Sequence, residues 1–143
     1  MNRQHCLVGK TVQSIWLADD RKALRFVLND DSEIIARCDG ECCSVTWIED
    51  IINPEFAIGK AVMRAEDIEL PIDFHTPTKT DNDEDETAYY GFLIETANGR
   101  CTIAYRNSSN GYYGGNLVWP DASYYYGGVY KQNVSTGVWK QVA

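Results

Sequence analysis

Between Thr11 and Cys38 the chain is cut into three short apolar-rich segments, 11–18, 22–29 and 32–38, by Asp19-Asp20-Arg21 and Asn29-Asp30-Asp31. Within the second, Leu24, Phe26 and Leu28 fall on one face by two-residue alternation, which is the period of a strand. Turn-forming residues between β-branched and aromatic runs predict an antiparallel meander. Asp39-Gly40 then supplies a sharp turn into Cys42-Cys43.

The next stretch, SVTWIEDII over 44–52, fits two periods. Val45, Ile48 and Ile52 lie at helical spacing, and Thr46 with Glu49 makes a capping-box pattern that Asn53-Pro54 would terminate. Alternation of Cys43, Val45 and Trp47 fits a strand, but the expectation here is a short helix. Residues 60–68 alternate as a strand. Residues 70–87 hold Pro71, Pro77, an acidic run and few apolar side chains, so an exposed loop is expected there. After it, Ala88, Tyr90, Phe92 and Ile94 alternate with Tyr89, Gly91, Leu93 and Glu95, and Asn98-Gly99 is a strong hairpin signal. Cys101, Ile103 and Tyr105 share the following face, while Thr102, Ala104 and Arg106 share the other. Segments 112–119, 124–131 and 134–141 complete the expected strands. The predicted fold is one mainly β domain (or a β-rich α+β fold) over 1–143. Its form is a twisted antiparallel sheet or partly open barrel with one short helix near 44–52.

Composition removes several function classes. The formal charge is −8, and Asp81, Asp83, Glu84, Asp85 and Glu86 supply five of those negative charges within six positions. No basic patch is present, which argues against binding duplex nucleic acid. No apolar run approaches the ~18 residues of a membrane span, and MNRQHCLVGK lacks the apolar core of a signal peptide, so a cytoplasmic location is expected. Five cysteines, two of them adjacent, read as reduced thiols.

The usual chemical motifs fail on spacing. Cys38, Cys42 and Cys43 do not form the paired knuckles of a zinc site. The acidic run alternates at Asp81, Asp83 and Asp85 but has Glu86 where a calcium loop needs glycine. Gly9-Lys10-Thr11 lacks the upstream glycine and strand of a phosphate loop. His5 and His75, the two histidines, have no nucleophile in a structural context. No catalytic residue, metal ligand or cofactor is therefore assigned.

One string remains, YRNSSNGYYGGNLVW over 105–119, echoed by YYGG at 125–128. All nine tyrosines lie between Tyr89 and Tyr130. Read as a strand end followed by a loop, the string lets the Arg106 guanidinium meet a phosphate or carboxylate through two parallel donors. Asn107, Ser108, Ser109 and Asn110 would complete the polar shell, and Tyr112, Tyr113 and Tyr125 would stack on a planar ring. The competing reading is an ordinary hairpin loop with partly buried tyrosines.

The strings CDGECCSVTWIEDI and YRNSSNGYYGGNLVW, with the opening LVGKTV and closing YYYGGVYKQNV, resemble a small uncharacterised domain family found mainly in bacteriophage genomes. The resemblance implies a phage accessory protein inside a bacterial host cell, and by analogy one that counters host defence. It carries no established activity and no catalytic residue. The function expected is a non-catalytic binding module that sequesters a small anionic, nucleotide-like signalling ligand. Its alternative is a protein–protein inhibitor covering a host defence enzyme with the acidic loop and aromatic surface. A homo-oligomer is compatible with either, and a hydrolase built on other groups is the third reading.

Overall fold

The computed structural model describes residues 5–40, 45–70, 86–109, 115–120 and 138–143. Nine strands and one short 3-10 turn occur among them. The predicted meander is present as β1 (Val12–Ala18), β2 (Ala23–Leu28) and β3 (Glu33–Gly40). Its two turns share one construction. Asp20 Oδ1 accepts the Lys22 amide and Asp30 Oδ1 accepts the Ser32 amide, both at 3.0 Å. The residue between takes the left-handed region, Arg21 at φ 61° and Asp31 at φ 68°. Side-chain acceptors of this kind stabilise a tight reversal before the next strand begins.

Residues 45–52 are a strand, β4 (Val45–Ile52), and not the helix that the T-x-x-E pattern predicts. The ladder explains the outcome. Paired with β7 (Gly99–Ser109), β4 buries Ile48 against the core and Thr46 against Asn107, whereas a helix would leave the β7 edge open. Asn53-Pro54 ends the strand and starts the 3-10 turn Pro54–Ala57. β5 (Arg64–Ile68) and β6 (Glu86–Thr96) follow, and β6 joins β7 through a two-residue turn at Ala97-Asn98, with Thr96 opposite Gly99. Gly99, at φ 141°, sits in a region that side chains rarely adopt, consistent with the predicted hairpin. β8 (Gly115–Val118) and β9 (Trp139–Gln141) fall within the predicted segments 112–119 and 134–141, of which 112–114 and 134–137 lie outside the described residues. The span 124–131 lies outside the described residues.

The strands form two antiparallel sheets where one sheet or a partly open barrel was expected. Their orders are β8-β3-β2-β1-β9 and β4-β7-β6-β5. Their inner faces share one core containing Ile15, Leu24, Phe26 and Leu117 from the first sheet and Ile48, Phe92, Ile94 and Ile103 from the second. Trp119 bridges them, with ring centroids 5.3 Å from Phe26 and 4.9 Å from Phe92. His5 closes this cluster edge-on to Trp119 at 4.4 Å, its Nδ1 accepting the Leu7 amide at 3.0 Å. The expected loop over 70–87 is narrower at both ends. Leu70 is buried against Gly91, and Glu86–Thr87 already belong to β6. The remainder of that span, 71–85, lies outside the described residues.

β8 meets the second sheet through polar atoms. Asn107 Nδ2 donates to Thr46 Oγ1 at 2.8 Å, and that hydroxyl donates to the Asp39 carbonyl at 3.3 Å. A methyl group at Gly115 would lie 2.2 Å from Thr46 Oγ1 and 2.9 Å from Asn107 Nδ2. Gly115→Ala is therefore expected to destabilise the fold by about 1–3 kcal/mol, the range for overpacking a filled core. In a Thr46→Ala background part of that cost should disappear in urea denaturation. An equal cost in both backgrounds would show that the hydroxyl is not the obstacle.

Candidate functional site

From Cys101 through Asn107 every residue of β7 but the half-buried Thr102 is buried. Cys101, Ile103, Tyr105 and Asn107 point into the core, and Ala104 and Arg106 point to the opposite, outer face of the second sheet. Arg106 is 2% exposed. It stands in a row across three strands, opposite Trp47 of β4 on one side and Tyr89 of β6 on the other. Its guanidinium carbon lies 4.8 Å from the centre of the Tyr89 ring, within the range of a cation–π contact.

Glu49 completes this row. Arg106 Nη1 lies 3.7 Å from Glu49 Oε1, an ion pair longer than a hydrogen bond. The same carboxylate oxygen accepts the Trp47 indole N–H at 2.9 Å. Trp47 and Glu49 are two residues apart on one strand, and a bulge between Ile48 and Asp50 shapes the stretch that carries them. Without the extra residue, Asp50 would face Ile103 on the core side; with it, Ile51 takes that place and Asp50 faces Ala104. The row therefore offers two aromatic rings, a fixed guanidinium and one carboxylate, all on the face away from the core.

A second polar group lies on the inner face. The Tyr105 hydroxyl donates to Asp67 Oδ1 at 3.3 Å, and the Tyr90 and Tyr105 rings stack at 5.1 Å and 15°. Burial raises the Asp67 carboxyl above its ordinary value, with the Tyr105 hydroxyl acting in the opposite sense. Burial, reinforced by the Asp67 charge, raises the Tyr105 phenol as well.

The predicted site residues separate. Arg106 is interior to β7 rather than at a strand end, because β7 continues to Ser109, so Asn107, Ser108 and Ser109 are strand and not loop. Asn107 faces the core beside Thr46 and cannot share a pocket with Arg106, whereas Ser108 is on the Arg106 face between Val45 and Thr87. Asn110, Tyr112, Tyr113 and Tyr125 lie outside the described residues. Trp47, Glu49 and Tyr89 are the partners that sequence reasoning missed. An alternating reading of 43–47 placed Trp47 in a strand, and the hairpin at Asn98-Gly99 fixes Tyr89 opposite Arg106.

Among the described residues, Cys38 and Cys101 are thiols outside any disulfide. Cys38 and Cys101 are each pushed up to about 12, chiefly by burial. Cys42 and Cys43 lie outside the described residues. Among the described residues no three His, Cys, Asp or Glu side chains gather as a metal site, and no helix is long and apolar enough to cross a membrane.

Fold and site together define a two-sheet antiparallel β protein with a buried arginine between aromatic rings on its non-core face. The chain belongs to the family described as Domain of unknown function (DUF7448), whose profile matches residues 5–119. Comparison with the curated proteins and with the solved structures finds no match.

Burial makes Arg106 part of the packing, which revises what a strand-end position would imply. Arg106→Ala should cost about 1–3 kcal/mol in chemical denaturation, from lost stem packing and a Glu49 left without its cation. Arg106→Met, which keeps most of the stem, should cost less. For Asp67 the sign follows from its raised pKa. The folded state holds the proton more tightly than the unfolded chain, so stability falls as pH rises through the folded value. Asp67→Asn should therefore gain thermal midpoint relative to wild type at pH 7, and the gain should close as pH falls below the carboxylate range. A gain independent of pH would contradict this assignment.

Proposed function

We propose that this chain is a non-catalytic binding module that holds a small, planar, anionic ligand of the nucleotide class on the outer face of its second sheet. The observation that carries the reading is the row Trp47–Arg106–Tyr89, in which a guanidinium 2% exposed lies over the Tyr89 ring and Trp47 stands opposite Arg106 on the neighbouring strand. A fixed guanidinium can meet a phosphate through parallel donors, and indole and phenol rings stack on a purine. Desolvation makes a charge contact of this kind stronger than it is in water. Ser108, on the same face, supplies a hydroxyl to the polar end of the row. The phage origin, the bacterial host cell as its place of action and the role against host defence are supported by the sequence strings that resemble phage accessory domains.

The direct test is uptake from a panel of mono-, di- and cyclic nucleotides, followed by denaturation and identification of what is released. Intact nucleotide released from wild type, with a loss of roughly one to two decades in affinity for Arg106→Lys, is the expected result. Released ligand that has been chemically altered would make the protein an enzyme. Uptake of none of the panel would shift the reading to inhibition of a protein partner.

A further inference from the structure

The β1–β2 turn grips β4 at its bulge. Arg21, at the tip of that turn, accepts the Ile48 amide through its own carbonyl at 2.7 Å. Its side chain returns two bonds to the same place, Nε to the Ile48 carbonyl at 2.8 Å and Nη2 to the Glu49 carbonyl at 2.6 Å. These contacts join the first sheet to the outer edge of the second, since β4 is an end strand in the order β4-β7-β6-β5. Arg21 makes them from a left-handed backbone, φ 61°, that a residue with a Cβ adopts at a cost. Glycine would relieve that cost but could not supply the guanidinium. The three bonds fall on Ile48 and Glu49, where the register with β7 shifts.

The extra residue at the register shift is Glu49, which stands between Ile48, opposite Tyr105, and Asp50, opposite Ala104, and has no register partner of its own on β7. Its side chain keeps the face of Trp47, where Oε1 receives the Trp47 indole and lies 3.7 Å from Arg106. That carboxylate stands beside the cation that an anionic ligand would need. Glu49 is 35% exposed while Arg106 is 2% exposed, so the carboxylate has the more open side and can move toward solvent where the guanidinium cannot.

Resting on the ligand reading above, we propose that Glu49 is the specificity-determining residue of the row and that Arg21, through the bulge, is its positioning residue. The carboxylate serves as a built-in counter-ion, and a ligand binds by replacing it on Arg106. Ligands without an anionic group cannot make that exchange. Compact anionic groups, such as a phosphate, replace one charge with another and keep the buried guanidinium neutralised throughout.

The experiment uses adenosine monophosphate and adenosine as a charged and uncharged pair, titrated by calorimetry against wild type, Glu49→Gln, Arg21→Lys and Arg21→Ala. Glu49→Gln should bind the monophosphate more tightly by roughly ten- to a hundredfold, the scale of one charge-assisted contact, while adenosine changes little. Arg21→Ala should move the ratio of the two affinities in the same direction, with Arg21→Lys between it and wild type. Independently of any ligand, the Trp47 indole N–H resonance should shift and lose exchange protection in Arg21→Ala and Glu49→Gln, with Trp47→Phe fixing its assignment. A folded Glu49→Gln that binds the monophosphate no more tightly than wild type overturns the specificity role. An unmoved Trp47 resonance in folded Arg21→Ala or Arg21→Lys overturns the positioning role. Binding of neither probe by wild type and all variants removes the ligand reading and the specificity role together, and the Trp47 resonance then still decides what Arg21 does.

Discussion

The two sheets are held face to face by one shared apolar layer, within which Trp119 contacts Phe26 on one sheet and Phe92 on the other. Two open antiparallel sheets have no reason to stay face to face unless a shared apolar layer is removed from water, and this cluster of three tilted rings lies within that layer. With the inner faces committed to it, Cys101, Ile103 and Tyr105 must point inward. The period of two then sends Arg106 to the other side. The position of the guanidinium is thus a consequence of core packing, not an independent choice.

That outward face is unusual in being so well covered. Leu93, Ala104 and Arg106 are buried there, as is Gly91, against which Leu70 packs. An arginine in such a place needs compensation for leaving water, and the structure supplies it locally with the Tyr89 ring and the Glu49 carboxylate. The same carboxylate binds the Trp47 indole, so one side chain from β4 and one from β7 meet a single group, and Tyr89 of β6 is linked to it through Arg106. Because they are coupled, substitutions at Glu49, Arg106 and Trp47 will not act additively.

Much of the fold is legible in the sequence because the signals are local. Asp20 and Asp30 sit where a side chain can cap a tight reversal, and the hairpin signal at Asn98-Gly99 marks the β6–β7 reversal. The segment 44–52 misleads for a physical reason. Thr46 and Glu49 fit a helix start, but their partners are Asn107 and the Trp47–Arg106 pair, and a partner sixty residues away leaves no local trace. The site was half visible. The face of Arg106 follows from alternation, whereas its burial and its neighbours Trp47 and Tyr89 depend on the pairing of β4, β7 and β6. Reading 107–109 as loop hid the fact that Asn107 and Arg106 point in opposite directions.

The end strand β5 carries the sequence Arg64-Ala65-Glu66-Asp67-Ile68, and Arg64 pairs with Glu66 at 2.9 Å on its own strand. An open sheet edge ordinarily invites a strand from another molecule, and an incoming strand here would crowd three charged side chains. The bulged and arginine-gripped β4 closes the opposite end of the same sheet to such pairing. Both margins of the second sheet are thereby made poor templates for an incoming strand, so the outer face that carries Trp47, Arg106 and Tyr89 is bounded by edges that resist strand addition.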